Sequence, residues 1–393
     1  MPRLPAPPTS GESIFAETTR RATQLGAVNL GQGFPDWEPP EVLRSALRDV
    51  LTSDVHQYGP PPGFPRLRAV IAASVKDALG FCPDPDTEVT VTVGASEALY
   101  EAAAALVERG DEAIVLEPAY DLYAEVLKRA GAHVIGVPLE ASPTGWRLDS
   151  DRLRAACTPR TKLIVVNTPH NPTGAVLTRE ELKGLAQVAL DFDLFVVSDE
   201  VYDRLTFDRP HVPVASLPGM RERTVTVGAA SKTFSVTGWR VGWAIASPEV
   251  TRRLRAVHQF VTFVAPTPFQ AAIAVAMEAA QESGFYRELA SSLRAKRDVL
   301  SNALKAAGLS PTSAHGGYFV LADTTTVAPT ATEAAERLLS EVGVAGIALS
   351  AFYLPTSGAS APNAVRFAFC KRDEVLDEAA RRLDAWREHG GAR

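Results

Sequence analysis

The chain has 393 residues, 46% of them apolar, and a formal net charge of −6. That length accommodates two domains or one large α/β body, and the acidic balance gives no electrostatic case for nucleic acid or an anionic membrane surface. No apolar run approaches the length of a bilayer span, and the three scattered cysteines, Cys82, Cys157 and Cys370, show neither metal-ligand spacing nor a disulfide framework, so they are expected to be buried and the chain to work in a reducing cytoplasm without a metal.

Met1 to Pro8 holds four prolines and no apolar core, so it is read as neither signal peptide nor anchor, and residues 1–11 are expected to form a mobile extension. Residues 12–41 are expected to pack on a small C-terminal domain. The middle of the chain alternates short apolar runs with amphipathic stretches. Runs at 113–116, 162–166, 195–197 and 224–227 predict buried strands, and the patterns over 96–108 and 179–191 predict helices between them. Strand–helix alternation predicts an α/β fold with a mostly parallel, doubly wound sheet, here assigned to residues 42–280. Further on, 267–307 reads as one or two long helices, 317–321 and 364–369 as strands, and 372–389 as a closing helix. These make a smaller α+β domain over 281–393.

In doubly wound sheets, ligands sit beyond the carboxyl ends of the strands. The residues with chemistry to offer cluster there. Gly94-Ala95-Ser96 follows an apolar strand and opens a helix, whose free backbone N–H groups suit a phosphate, although a plain strand-to-helix turn reads the same way. Tyr120 offers a ring face for a flat ligand, or is a core aromatic. Asn171 lies in Thr168-Pro169-His170-Asn171-Pro172-Thr173-Gly174, a loop rigid enough to aim a side chain or simply to turn the chain. Asp199 ends an apolar strand in Val196-Val197-Ser198-Asp199-Glu200-Val201-Tyr202 and either needs a cationic partner or caps a helix. Lys232 sits in Ser231-Lys232-Thr233-Phe234-Ser235-Val236-Thr237-Gly238-Trp239-Arg240, where an amine, hydroxyls and a guanidinium could hold an aldehyde and its phosphate. Arg366 stands inside an apolar strand and requires an anion, either a substrate carboxylate or a structural salt-bridge partner.

In this order these residues resemble the class I/II aminotransferases, the pyridoxal 5′-phosphate enzymes of fold type I, over about residues 14–383. The kynurenine aminotransferase-like branch is the most similar, with its kynurenine–oxoglutarate, methionine and N-succinyldiaminopimelate aminotransferases. The strings that carry this are Asn29-Leu30-Gly31-Gln32-Gly33-Phe34-Pro35-Asp36, Gln57-Tyr58-Gly59, Ser198-Asp199-Glu200-Val201-Tyr202, Lys232 to Trp239 and His258-Gln259-Phe260-Val261-Thr262-Phe263. The resemblance implies pyridoxal 5′-phosphate as cofactor, carried by Lys232, which also moves the proton. Asp199 would pair with the ring nitrogen, Tyr202 and Asn171 would bond the ring oxygen, and Tyr120 would stack on the ring. Ala95, Ser96, Ser231 and Arg240 would hold the phosphate, with Tyr58 reaching that of the neighbouring subunit in a homodimer. Arg366 would bind the substrate carboxylate, with Gly33 and Asn171 nearby. Family members often carry a serine three residues before the lysine. Ala229 stands there in this chain, which predicts slightly weaker cofactor retention.

The implied activity is transfer of an amino group from an L-amino acid to a 2-oxo acid by a ping-pong mechanism. A cysteine-conjugate β-lyase or an oxidative enzyme with the same cofactor could use the same residues, and a non-catalytic cofactor-binding domain is the rival from another class. Phe34, Tyr318, Phe352, Tyr353 and residues 258–263 either line an aromatic-friendly pocket or, for most of them, belong to the core.

Overall fold

The computed structural model of the chain describes residues 12–142 and 145–389, so the extension expected over 1–11 lies outside the described residues. A seven-stranded sheet forms the centre. Its strands are β1 (Val89–Thr92), β2 (Glu112–Glu117), β3 (His133–Pro138), β4 (Thr161–Asn167), β5 (Phe195–Asp199), β6 (Thr224–Ala229) and β7 (Gly242–Ile245), in spatial order β1-β7-β6-β5-β4-β2-β3. Strands β3, β2, β4, β5 and β6 run parallel. Strand β7 runs antiparallel to both of its neighbours, so β1 points the same way as the parallel set.

The inner strands are apolar almost throughout because both faces are covered. Alternate residues take opposite sides. Ile114, Ile164 and Val196 face one layer with Leu182, Leu185 and Val188 of the helix Arg179–Asp191. Val115, Val165 and Val197 face the other, with Ala98, Leu99 and Ala102 of the helix Gly94–Leu106 and Leu254 of Pro248–Val261. The helix Arg179–Asp191 has the expected limits because Thr178 and Glu181 form a capping box. The stretch 267–307 forms two helices, Thr267–Ser283 and Phe285–Ala306, parted at Gly284, whose φ of 77° ends the first.

A second sheet is wholly antiparallel: β8 (Ser310–Pro311), β9 (Phe319–Asp323), β10 (Ile347–Ala348) and β11 (Ala364–Ala368), in order β8-β9-β11-β10. Leu293 and Leu300 of Phe285–Ala306 and Leu376 and Leu383 of Asp373–Glu388 pack in the apolar cluster of this sheet. Near the N-terminus, Val28–Asn29 pairs in parallel with Val344–Ala345.

The cysteines correct one expectation. Cys370 is buried, but Cys157 is only partly so and Cys82 is exposed, at the end of the turn that follows a helix rather than under it. The aromatics also divide: Tyr318 and Phe352 are core, whereas Phe34, Phe260 and Phe263 are exposed.

Candidate active site

Because β1, β2, β4, β5 and β6 share one direction, the segments that follow them emerge at one edge of the sheet. A cavity of about 420 Å³ lies there, closed on its other side by β9 and β11 through Phe319 and Arg366. Lys232, Asp199, Tyr202, Asn171, Tyr120, Ala95, Ser96, Ser231, Arg240, Gly33 and Arg366 all line it. Tyr58 does not. It is 83% exposed, with its ring edge-on to Phe263 at 5.5 Å. Ala229 lies outside the cavity lining as well, packed in the apolar cluster of the small sheet.

Lys232 stands in the four-residue turn Ala230–Thr233 directly after β6. Its Nζ lies 5.8 Å and 5.7 Å from the ring centres of Tyr202 and Tyr318. Burial lowers its pKa, against the opposing fields of Cys370 and Asp199. Asp199 is buried at the end of β5, and burial pushes its pKa up to about 6, although the Tyr123 hydroxyl donates to Oδ2 at 2.7 Å. Val201 N–H bonds Oδ1 at 3.3 Å, but a turn follows, so Asp199 caps no helix. Behind it, the Asn167 amide donates to the Asp199 carbonyl at 2.8 Å and accepts from Asn171 N–H at 2.8 Å, which ties the Asn-Pro loop to the strand beside it.

At one end of the cavity the helix Gly94–Leu106 presents its first backbone N–H groups. Arg240 reaches Ser96 Oγ from Nη2 at 3.3 Å and the Thr237 carbonyl from Nη1 at 3.1 Å. Gly94 has a φ of +72°, and a Cβ there would strike the Arg240 guanidinium. The left-handed conformation calls for glycine, and a Cβ would also push the arginine tip aside.

At the other end, Arg366 is 1% exposed. Nη1 donates to Asn171 Oδ1 at 2.9 Å and Nη2 to the Gly31 carbonyl at 2.6 Å, while Nε has no partner. The rings of Phe319, Phe352 and Phe15 surround it, at 4.1, 4.8 and 5.3 Å. Burial lowers its pKa to about 10. Among the described residues no carboxylate pairs with it, so the salt-bridge alternative is not met there.

The chemistry of this donor set fits a flat, anionic, phosphorylated aldehyde. A helix start and a guanidinium stand at one end, a buried carboxylate without an ion-pair partner among the described residues at the floor, an amine beside it, and at the far end a guanidinium that no carboxylate among the described residues pairs. Sequence reasoning missed Tyr123, Phe15, Gln32 and Phe319 and gave Asn167 and Thr237 no role of their own within the segments it singled out; all six are in the lining. Tyr123 had a signal, since it lies one helical turn from Tyr120. Phe15 and Phe319 had none, because the second sheet and the N-terminal helix Ile14–Leu25 bring them in from far along the chain.

The family described as aminotransferase class I and II matches residues 26–383. The probable N-succinyldiaminopimelate aminotransferase of Mycobacterium tuberculosis is 44% identical over 384 residues, 96% of each chain, and a solved structure of that enzyme superposes with a TM-score of 0.91 over 95% of this chain and 97% of its own. The methionine aminotransferase of Escherichia coli is 38% identical over 96% of each chain; its crystal structure gives a TM-score of 0.92 over 98% of this chain and all of that one. The kynurenine–oxoglutarate transaminase of Dictyostelium discoideum is 38% identical over 94% of this chain and 93% of its own. The chain belongs to the class I/II aminotransferases, with the fold of the pyridoxal-phosphate enzymes of fold type I, and it is an aminotransferase. The names of these relatives give no support to a lyase. No helix among the described residues is long and apolar enough to cross a membrane.

Proposed function

We propose that this aminotransferase holds pyridoxal 5′-phosphate over the carboxyl edge of the large sheet and moves an amino group from an L-amino acid to a 2-oxo acid with ping-pong kinetics. One observation carries the reading: Lys232, Asp199 and Arg366, whose Nε has no partner among the described residues, share a single cavity. When bound, the cofactor supplies the electron sink that lets a proton leave the Cα of the amino acid.

The chain's own residues bind, orient and move the proton. Ala95 and Ser96 N–H, the Ser231 hydroxyl and Arg240 suit a phosphate at the positive end of the helix. Tyr120 offers a ring face, and Tyr202 and Asn171 offer hydrogen-bond donors. Asp199 matches a cationic ring nitrogen, whose charge would offset the burial that raises its pKa. Arg366 holds the substrate carboxylate between Asn171 and the Gly33 segment and so aims the Cα–H bond at Lys232. The Lys232 amine, its pKa lowered, has a neutral form able to take that proton at Nζ. The exposed Tyr58, absent from its own subunit's cavity, supports a homodimer in which it serves the neighbour's phosphate. Three free thiols support a cytoplasmic setting.

Replacing Lys232 tests this. Lys232→Ala should abolish both turnover and the visible absorbance of lysine-bound cofactor. Retention of either defeats the assignment. Accumulation of the amino form of the cofactor after a single turnover of wild type separates transamination from lyase or oxidative chemistry.

A further inference from the structure

The helix Gly94–Leu106 meets the cavity with its first turn and carries two carboxylates one turn apart, Glu97 and Glu101. They are 7% and 0% exposed. Buried carboxylates at this spacing repel each other and lose hydration, so they call for a proton or a cation between them. His258, from the helix Pro248–Val261, lies there. Its Nδ1 is 2.7 Å from Glu101 Oε1 and 3.3 Å from Glu97 Oε1, and its Nε2 is 2.9 Å from the Pro61 carbonyl. A carbonyl only accepts, so Nε2 carries a hydrogen, and Nδ1, facing two carboxylates, carries the other. Burial raises the pKa of Glu101 to about 7, so above that pH both carboxylates are ionised and the ring is an imidazolium. Burial lowers its pKa, but its bonds to Glu101 and Glu97 outweigh this and raise it to about 10. These two carboxylates are the charged groups facing it among the described residues.

Two lines of contact leave this cluster. Glu97 accepts from Val93 N–H, immediately before the helix start, and from the Thr262 hydroxyl. Pro61 belongs to the segment 58–63, which is pinned again by Gly59 N–H to Thr267 Oγ1 at 3.0 Å and by Tyr58 against Phe263. The cluster has the ligand types of a metal site. With both ring nitrogens donating, however, the imidazole has no lone pair to offer one.

We propose that His258, as a fixed imidazolium between Glu97 and Glu101, is a positioning residue that sets the phosphate-binding helix start against the segment carrying Tyr58. This rests on the reading that the start of Gly94–Leu106 holds the cofactor phosphate. Neutral glutamine at 258 keeps one donor but leaves two buried carboxylates without a counter-charge, so the helix start should shift.

The test uses the holoenzyme. In wild type, ring ¹⁵N NMR at pH 8 should show both His258 nitrogens protonated; a singly protonated ring overturns the inference. In H258Q the apparent cofactor dissociation constant, titrated by visible absorbance at a temperature where the variant is folded, should rise about tenfold or more, the scale seen for supporting partners of bound groups. The kcat at saturating cofactor should change much less than that constant. Unchanged cofactor affinity overturns the inference, as does a stoichiometric metal in the purified wild type. If H258Q does not fold, E101Q carries the same titration, with a smaller rise expected. Wild type that never develops the lysine-bound absorbance would instead defeat the cofactor assignment itself, so the two failures are distinguishable.

Discussion

Arg366 shows what one residue can reveal. A guanidinium enclosed by three aromatic rings, with one nitrogen lacking a partner and no carboxylate beside it among the described residues, carries a desolvation cost that its two hydrogen bonds to neutral oxygens offset only in part. A carboxylate ligand would repay it, and loss of one partner from a desolvated charge pair costs about 2–5 kcal/mol. Arg366→Ala should therefore lower kcat/KM for the amino donor by about 30-fold or more. The loss should fall mainly on KM, and steady-state kinetics with cofactor saturating will show the split. Affinity for the amino acid equal to wild type would remove Arg366 from the substrate carboxylate. This residue was legible beforehand for the reason that makes it costly, since a charge inside Val365-Arg366-Phe367 requires an anion, although a salt bridge within the chain would have served as well as a substrate carboxylate. Asp199, after an apolar strand, left a helix cap as the alternative, and Lys232 was legible from its order with Asn171, Asp199, Tyr202, Arg240 and Arg366 rather than from its own surroundings. Phe15 and Phe319 were not, because an aromatic on an apolar face reads as core until the fold shows which face meets the cavity.

At the level of elements, Gly94 decides how a strand becomes a phosphate-binding helix. Gly94→Ala forces a side chain into a left-handed backbone and into the Arg240 guanidinium. Such strain costs about 1–3 kcal/mol. The expected outcome is a lower melting temperature together with weaker cofactor binding. Differential scanning calorimetry of the apo and holo forms measures both, and a larger deficit in the holo form would place the damage at the cradle. The inner strands of the large sheet were predictable from sequence because burial on both faces writes a continuous apolar run. Two strands were not. In β3 only Val137 is buried, so no such run appears, and β7 is four residues long, reads like its surroundings and runs the other way. The helix pair after residue 267 left open whether there was a break, which Gly284 supplies.

For the whole molecule, the cavity belongs to both sheets. Asn171 from the large sheet and Arg366 from the small one meet at 2.9 Å across it. The proposed third contributor is a second copy of the chain. If Tyr58 serves the neighbour, Tyr58→Ala and Lys232→Ala subunits are complementary, because one site of each mixed dimer has both an intact lysine and an intact tyrosine. Mixing equal amounts under subunit exchange should restore about a quarter of wild-type activity from two weakly active or inactive parents, since half of randomly paired dimers are mixed and each has one whole site. No recovery beyond the sum of the parents would place Tyr58 outside the neighbour's site. The reversed strand β7 has a further consequence. Because β6 leaves the sheet where β7 enters it, the chain between them never crosses to the far side, and Lys232 and Arg240 are both held within one short return. Their eight-residue interval thus works as a ruler cut by topology, and one inserted or deleted residue would put amine and guanidinium out of step with a cofactor of fixed length.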